Sequence, residues 1–154
     1  IIFEDHLEVG YNYRMTDIQA AVGIKQLEKL DFLVNERRKV AQYYLKNLIA
    51  VKSIELPVEA EGYFSNYQSF AILLKPSAKL SRNELMQALL ENGISSRRGV
   101  TTAHRETAYK NSFSNCKLPV SEQLSDNSLV IPLYYPMDEK DTDHIVKTIT
   151  KLLS

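Results

Sequence analysis

The fold of this chain is decided by residues 10–31, which read GYNYRMTDIQAAVGIKQLEKLD. Thr16 and Gln19 have the spacing of a capping box, in which the threonine hydroxyl accepts from the backbone N–H of the glutamine and the glutamine side chain reaches back to the first residue. Asp17 adds negative charge at the positive end of the helix dipole. The stretch therefore predicts a polar loop that leads into a helix beginning after Thr16.

A helical repeat continues far beyond this cap. Apolar residues recur at three- and four-residue steps as far as Leu48, which predicts one long helix or two nearly continuous helices with a bend near Asp31. Small residues, Ala20, Ala21 and Gly23, lie near the start, and a glycine inside a helix costs about 1 kcal/mol relative to alanine. We expect another backbone to pack closely on this small-residue face.

The rest of the chain alternates short apolar runs with helical patterns. The predicted elements are an edge strand within 53–58, a buried strand within 67–75, a capped helix from 81 to a glycine stop at 93, a strand over 94–100, a polar loop over 101–117 with one helical turn near 105–109, a short helix over 120–125, a buried strand over 128–134 and an amphipathic helix over 138–154. Residues 1–9 are expected to form an extended lead-in. The pattern predicts an α+β fold with two layers, in which a long N-terminal helix precedes a sheet of three or four strands covered by helices.

Composition excludes several classes of protein. The 154 residues are 44% apolar and 25% charged, which is typical of one soluble globular domain, and 19 basic residues balance 19 acidic ones. That balance gives no reason to expect nucleic acid or an anionic membrane as a partner. The single cysteine, Cys116, makes no internal disulfide and belongs to no metal-ligand cluster. With no membrane-spanning run, basic leader or initiating methionine, we expect a cytoplasmic chain cut from a larger one.

Two polar residues ahead of the helix cap point to anion binding. Gly10 permits a sharp turn there, so Asn12 and Arg14 can face a shared cleft. The guanidinium of an arginine is a planar fork for carboxylate or phosphate, and an asparagine amide donates to a phosphate oxygen without adding charge. The simpler alternative is a capping loop with a solvated surface arginine.

Residues 10–21, followed by Gln26-Leu27 and Leu30-Asp31, resemble the DegT/DnrJ/StrS family of sugar aminotransferases. The resemblance continues through residues 81–85, 93–94, 104–109, 118–122 and 131–133, and so covers nearly the whole chain. It implies the aspartate-aminotransferase fold, pyridoxal phosphate as coenzyme, and transfer of an amino group from a donor such as glutamate to a nucleotide-linked keto-sugar.

The resemblance is to the C-terminal portion of the family only. Family members are much longer, and the lysine that forms the Schiff base with the coenzyme lies in a large upstream domain. None of the lysines in this chain lies in that lysine motif. Residues 1–154 are therefore expected to be the small C-terminal domain with the preceding inter-domain helix, the large domain lying upstream of Ile1. Alone, the chain is expected to be inactive.

The resemblance also assigns roles to residues. Asn12 matches the residue that contacts the coenzyme phosphate from the neighbouring subunit of a homodimer, and Arg14 matches an arginine placed to bind the carboxylate of the amino donor. Arg98 and His104 match the loop that faces the nucleotide sugar. Because neighbouring side chains on a strand point to opposite faces, at most one of Arg97 and Arg98 reaches a given ligand, and Arg98 is preferred.

Two alternatives remain open. One is a binding module without chemistry, which recognises a metabolite through Arg14 and Arg98. Ligand binding by this chain without an upstream partner would favour that module. The other is a dimerisation domain, in which the small-residue face of the long helix packs on a second copy. Stable dimers without a ligand response would favour that domain.

Overall fold

The computed structural model describes residues 13–106, 109 and 113–154. The chain divides into two compact units, of which the first ends at Phe32 and the second runs over Leu33–Ser154. The predicted lead-in over residues 1–9 and the predicted phosphate contact Asn12 lie outside the described residues. No helix in the described ranges is long and apolar enough to cross a membrane.

The capping box forms as predicted. The backbone N–H of Gln19 donates to the hydroxyl of Thr16 at 3.3 Å, and the N–H of Thr16 donates to the Gln19 side chain at 3.0 Å. Helix α1 follows over Asp17–Leu27, and α2 over Leu30–Leu48. The prediction of two nearly continuous helices is thus confirmed, with the interruption at residues 28–29 instead of at Asp31, which lies in the first turn of α2.

A small antiparallel sheet forms the centre of the second unit. Its strands are β1 (Ile54–Glu55), β2 (Phe70–Leu74), β3 (Arg97–Arg98) and β4 (Ser128–Ile131), in the order β1-β2-β4-β3. Each neighbouring pair is antiparallel, so β2 and β3 run parallel with β4 between them. The α+β prediction with a small sheet is confirmed. The strand predicted over 94–100 is shorter, because only two of its residues pair with β4.

Three further helices and a short turn complete the described fold. Helix α3 spans Arg82–Glu91, α4 spans Pro119–Asn127 and α5 spans Glu139–Leu153, and Ala103–Arg105 forms a 3-10 turn. The helical turn predicted near residues 105–109 falls partly outside the described residues. Gly93 ends the α3 segment with a φ of 76°, a left-handed conformation that favours glycine.

The core lies between one face of the sheet and helices α2, α3 and α5. The strand β2 alternates as a half-buried strand should, since Phe70, Ile72 and Leu74 are buried while the two residues between them are partly exposed. Tyr44 of α2 packs edge-on against Phe70 at 5.2 Å between ring centroids. The buried apolar side chains of α2, α3 and α5 are Ala41, Tyr44, Leu48, Leu85, Leu89, Ile145, Val146, Ile149 and Leu153.

Candidate functional site

The first unit carries Arg14 on an exposed segment two residues ahead of the cap of α1. No residue of α1 is buried, and its apolar side chains are largely exposed, with Ile18 at 80%. An ideal Cβ built on Gly23 meets no atom within 4 Å. The expected close packing on the small-residue face is therefore not found among the described residues, and this face of α1 is open.

The second unit places the two neighbouring arginines of β3 on opposite faces of the sheet. Arg97 pairs with Val130 and Arg98 with Leu129, and residues directly opposite each other in an antiparallel pair share a face. Both arginines are exposed. They also line different cavities, Arg97 one of about 550 Å³ and Arg98 one of about 230 Å³. The prediction that only one of them reaches a given ligand is consistent with this division.

Gly99 fixes how the chain leaves β3. Its N–H donates to the carbonyl oxygen of Ser128 at 3.0 Å. An ideal Cβ on Gly99 would lie 2.1 Å from the Ser128 hydroxyl oxygen and 3.1 Å from its carbonyl carbon. Both distances are shorter than a normal contact, so a side chain here would push β3 away from β4. The glycine thereby holds Arg98 and the loop that follows it against the start of β4.

His104 lies on the 3-10 turn and is buried, with 7% of its side chain exposed. Its Nε2 is 2.9 Å from Oε1 of Glu122, and the same oxygen accepts from the N–H of Leu118 at 2.9 Å. The Leu118 N–H, and next the His104 ring, hold the pKa of the Glu122 carboxyl below its usual value. His104 is thus a buried, partnered imidazole. Its predicted contact with substrate stays a prediction.

A second acid on α4 holds the same turn. Arg105 donates through two nitrogens to the two carboxylate oxygens of Asp126, at 3.1 and 2.9 Å. The pKa of Asp126 is lowered by this arginine. Because Glu122 and Asp126 are four residues apart, they lie on one face of α4. Two acid–base pairs therefore fasten the 3-10 turn to α4.

Sequence reasoning assigned no role to Glu122 and Asp126. The signal was present, since a short helix with two carboxylates at helical spacing follows a loop that carries a histidine and an arginine in succession. Within the part of the chain that the structure describes, Arg98 and His104 line two different cavities. The cavity beside His104 has a volume of about 400 Å³ and is lined by His104, Arg105, Phe113, Ser114, Cys116, Lys117 and Glu122.

The described side chains offer groups for anion binding. The lysines in the described ranges are partly or fully exposed. Among the described residues there is no group of histidine, cysteine, aspartate and glutamate side chains that would hold a metal ion. Arginines, in contrast, are present in both units at the predicted positions, Arg14 and Arg98. Their guanidinium groups suit carboxylates and phosphates.

The sequence and the fold both match known aminotransferases. A model of the DegT/DnrJ/EryC1/StrS aminotransferase family matches residues 3–150, and the chain belongs to this family. Similar solved structures include a DegT DnrJ EryC1 StrS aminotransferase from Brucella abortus, with 29% identity, a TM-score of 0.81, and coverage of 99% of this chain and 40% of that one. The sugar aminotransferase CalS13 from Micromonospora echinospora has 23% identity and a TM-score of 0.80, with 92% and 37% covered.

The coenzyme of the family is seen in another structural neighbour. The PLP form of Spr1654 from Streptococcus pneumoniae has 24% identity and a TM-score of 0.83, with coverage of 96% of this chain and 38% of that one. At this identity the likeness shows the fold. In all three cases the chain spans about two fifths of the length of the solved structure.

Proposed function

We propose that this chain is the C-terminal part of a pyridoxal-phosphate-dependent aminotransferase, which moves an amino group from an amino acid, glutamate in our proposal, to a nucleotide-linked keto-sugar. The product would serve surface polysaccharide or amino-sugar biosynthesis in the cytoplasm. The observation that carries the proposal is the family match over residues 3–150. The proposed parts are the small domain of the aspartate-aminotransferase fold and the helix before it. The large domain, with the coenzyme-bound lysine, lies upstream.

The coenzyme supplies the electron sink and carries the amino group between the two substrates. This chain supplies binding groups. In our proposal Asn12 donates an amide N–H to the coenzyme phosphate of the neighbouring subunit, and Arg14 binds the donor carboxylate through two parallel hydrogen bonds. The exposure of Arg14 ahead of the α1 cap supports this role.

The loop after β3 supplies the sugar side of the proposed site. Gly99 fixes the start of this loop on Ser128, and the acid–base pairs of His104 and Arg105 fix its 3-10 turn on α4. A turn held at both ends presents Arg98 and His104 in a constant geometry, which reduces the ordering needed when substrate binds. We propose that these two residues contact the nucleotide-linked sugar.

A homodimer is part of the proposal. The exposed apolar side chains of α1 include Ile18, Val22 and Leu27, all more than half exposed. Several large apolar side chains exposed on one helix are typical of an interface. We propose that α1 packs on the large domain and the second subunit, which would bring Asn12 to the neighbouring coenzyme.

The proposal is tested by comparing the 154-residue chain with the longer protein that contains it. With pyridoxal phosphate, glutamate and a nucleotide-linked keto-sugar, we expect the longer protein to form the amino sugar and 2-oxoglutarate. We expect the chain alone to show no lysine-linked coenzyme absorbance and no turnover. Turnover by the chain alone, or a longer protein that aminates no nucleotide-linked sugar, would contradict the proposal.

A further inference from the structure

Three arginines from three different elements converge on one small polar pocket of the second unit. Arg82 comes from the first turn of α3, Arg98 from β3 and Arg105 from the 3-10 turn, and the pocket has a volume of about 230 Å³. Two buried residues, Thr102 and Ser125, also line it. Like charges that line one pocket disfavour each other, so counter-charge stabilises such an arrangement.

The two acids of the pocket leave the arginines incompletely balanced. Three guanidinium groups face two carboxylates, Glu106 and Asp126, which leaves one net positive charge. The Asp126 carboxylate accepts from Nη2 and Nη1 of Arg105 at 2.9 and 3.1 Å. Arg105 lowers the pKa of Asp126, and the charge of Arg82 lowers it further. The Asp126 carboxylate is therefore paired with Arg105 and also interacts electrostatically with Arg82.

Neither Arg98 nor Arg82 has an ion-pair partner within the described residues, and of the three arginines of the pocket only Arg98 also lacks a side-chain hydrogen bond there. Within residues 13–106, 109 and 113–154 its side chain makes no hydrogen bond or ion pair, whereas Arg82 donates to the Ser125 carbonyl oxygen at 3.3 Å and Arg105 to Asp126. The two partnered guanidiniums are thereby fixed in place. Their unused N–H groups and the whole fork of Arg98 remain as donors around the pocket.

We propose that this pocket binds a phosphate group, with Arg98 as the principal ligand and Arg82 and Arg105 as supporting donors. Forks that approach from three elements match the tetrahedral oxygens of a phosphate, whereas a planar carboxylate is satisfied by a single fork. The proposal rests on the proposed function for the source of that phosphate, which is the diphosphate of the nucleotide-linked sugar. The pocket itself is argued from this chain alone.

The experiment is calorimetric titration of the 154-residue chain with inorganic pyrophosphate, with uridine diphosphate, and with uridine as the control that lacks phosphate. We expect both phosphate compounds to bind and uridine not to bind. Binding of pyrophosphate with rejection of uridine diphosphate would overturn the assignment to a nucleotide. No binding of either phosphate compound would overturn the site.

Three variants separate a built pocket from general attraction of anions. Arg98→Ala should weaken binding of both phosphate compounds about tenfold or more, because a charge-assisted bidentate contact is lost. Arg97→Ala is the matched control, since this residue is also exposed on the same strand but lies on the opposite face, and it should leave binding unchanged. Equal weakening by both variants would overturn the proposal.

Asp126→Asn tests whether additional positive charge in the pocket strengthens phosphate binding. Removing this carboxylate releases Arg105 and raises the net positive charge of the pocket, so binding of pyrophosphate should become severalfold tighter. A variant that only damaged the fold would weaken binding instead, and that result would count against the pocket. Failure of amino transfer in the longer protein, with these titrations as expected, would overturn the proposed function and leave the phosphate site standing.

Discussion

Helices α1 and α5 both carry apolar side chains, and their surroundings are opposite. In α5 the apolar residues recur at three- and four-residue steps on one face, whereas in α1 Ile18 and Leu27 lie on opposite sides of the helix. In α5 this face is buried, with Ile149 completely covered and five further residues buried beside it. In α1 no residue is buried, and Ile18 is 80% exposed.

The difference shows that apolar side chains on a helix indicate a need for packing partners and do not say which chain supplies them. Helix α5 finds its partner in the sheet of the second unit. Helix α1 finds none among the described residues. A capping box makes α1 a well-defined helix all the same, because the cap satisfies N–H groups locally and requires no tertiary contact. This contrast is the structural reason for proposing that α1 packs on another domain or subunit.

The largest expected effect is the loss of stability when a buried residue of α5 is truncated. Ile149→Ala should lower the free energy of unfolding by about 2–5 kcal/mol, because it removes methyl groups from a filled core and leaves a cavity. The matched variant Ile18→Ala removes the same atoms from an exposed site. It should change the free energy of unfolding by less than about 0.5 kcal/mol. Urea unfolding followed by circular dichroism measures both values. Equal losses would contradict the contrast between the two helices.

A second prediction concerns the packing at Gly99. Gly99→Ala should destabilise the second unit by about 1–3 kcal/mol, because the new methyl group overlaps Ser128. The double variant Gly99→Ala with Ser128→Gly should regain part of the loss, since it removes the atoms nearest to that methyl group. Urea unfolding again provides the measurement. A single variant as stable as the parent would show that β3 and β4 are less closely apposed than described.

The exposed apolar side chains of α1 predict self-association. The 154-residue chain should associate at micromolar concentration through these side chains. Replacing Ile18 and Val22 by lysine should weaken association about tenfold or more in sedimentation velocity. Val58→Lys is the control, since Val58 is 90% exposed in the second unit. A parent chain that sediments as a monomer would argue against a missing partner for α1.

The smallest expected effect is the pH dependence of the contact that holds the 3-10 turn. The pKa of Glu122 is lowered in the folded chain, first by the Leu118 N–H and then by His104. Its stabilisation is therefore present above the ordinary carboxyl pKa and is lost as the pH falls through the lowered value. The parent should melt at a higher temperature than Glu122→Gln at pH 7. This difference should shrink on acidification below about pH 4.5, and a difference independent of pH would contradict the assignment.

Local signals explain how much of the fold was predictable. The capping boxes at Thr16 and Ser81, the glycine stop at Gly93 and the periodicity of α5 act within a few residues, and each is found in the structure. The order of the sheet was not predictable in this way. Strand β4 lies between β2 and β3, although it follows both in sequence, because its pairing depends on long-range packing.

The candidate site was predictable in part. The divergence of Arg97 and Arg98 follows from strand geometry alone. The burial of His104 depends on Glu122, which is 18 residues away, and no local pattern required the two to meet. The pocket around Arg98 likewise joins residues from α3, β3, the 3-10 turn and α4, so its existence follows only from the folded structure.

The central claim is that this chain supplies the coenzyme-phosphate and donor-carboxylate contacts of a longer aminotransferase. Coenzyme affinity and the KM for glutamate, measured side by side in the longer protein, test it most directly. Asn12→Ala should weaken coenzyme binding about tenfold or more and leave donor recognition nearly unchanged, because a hydrogen bond to a charged phosphate is lost.

Arg14→Ala should do the reverse in the same measurement, with the coenzyme retained and the KM for glutamate raised. Arg14→Lys should recover only part of this loss, because an ammonium group cannot replace the planar fork. The account predicts that the two alanine variants fail in these two separate ways. Unchanged coenzyme affinity in Asn12→Ala, together with an unchanged KM for glutamate in Arg14→Ala, would contradict it.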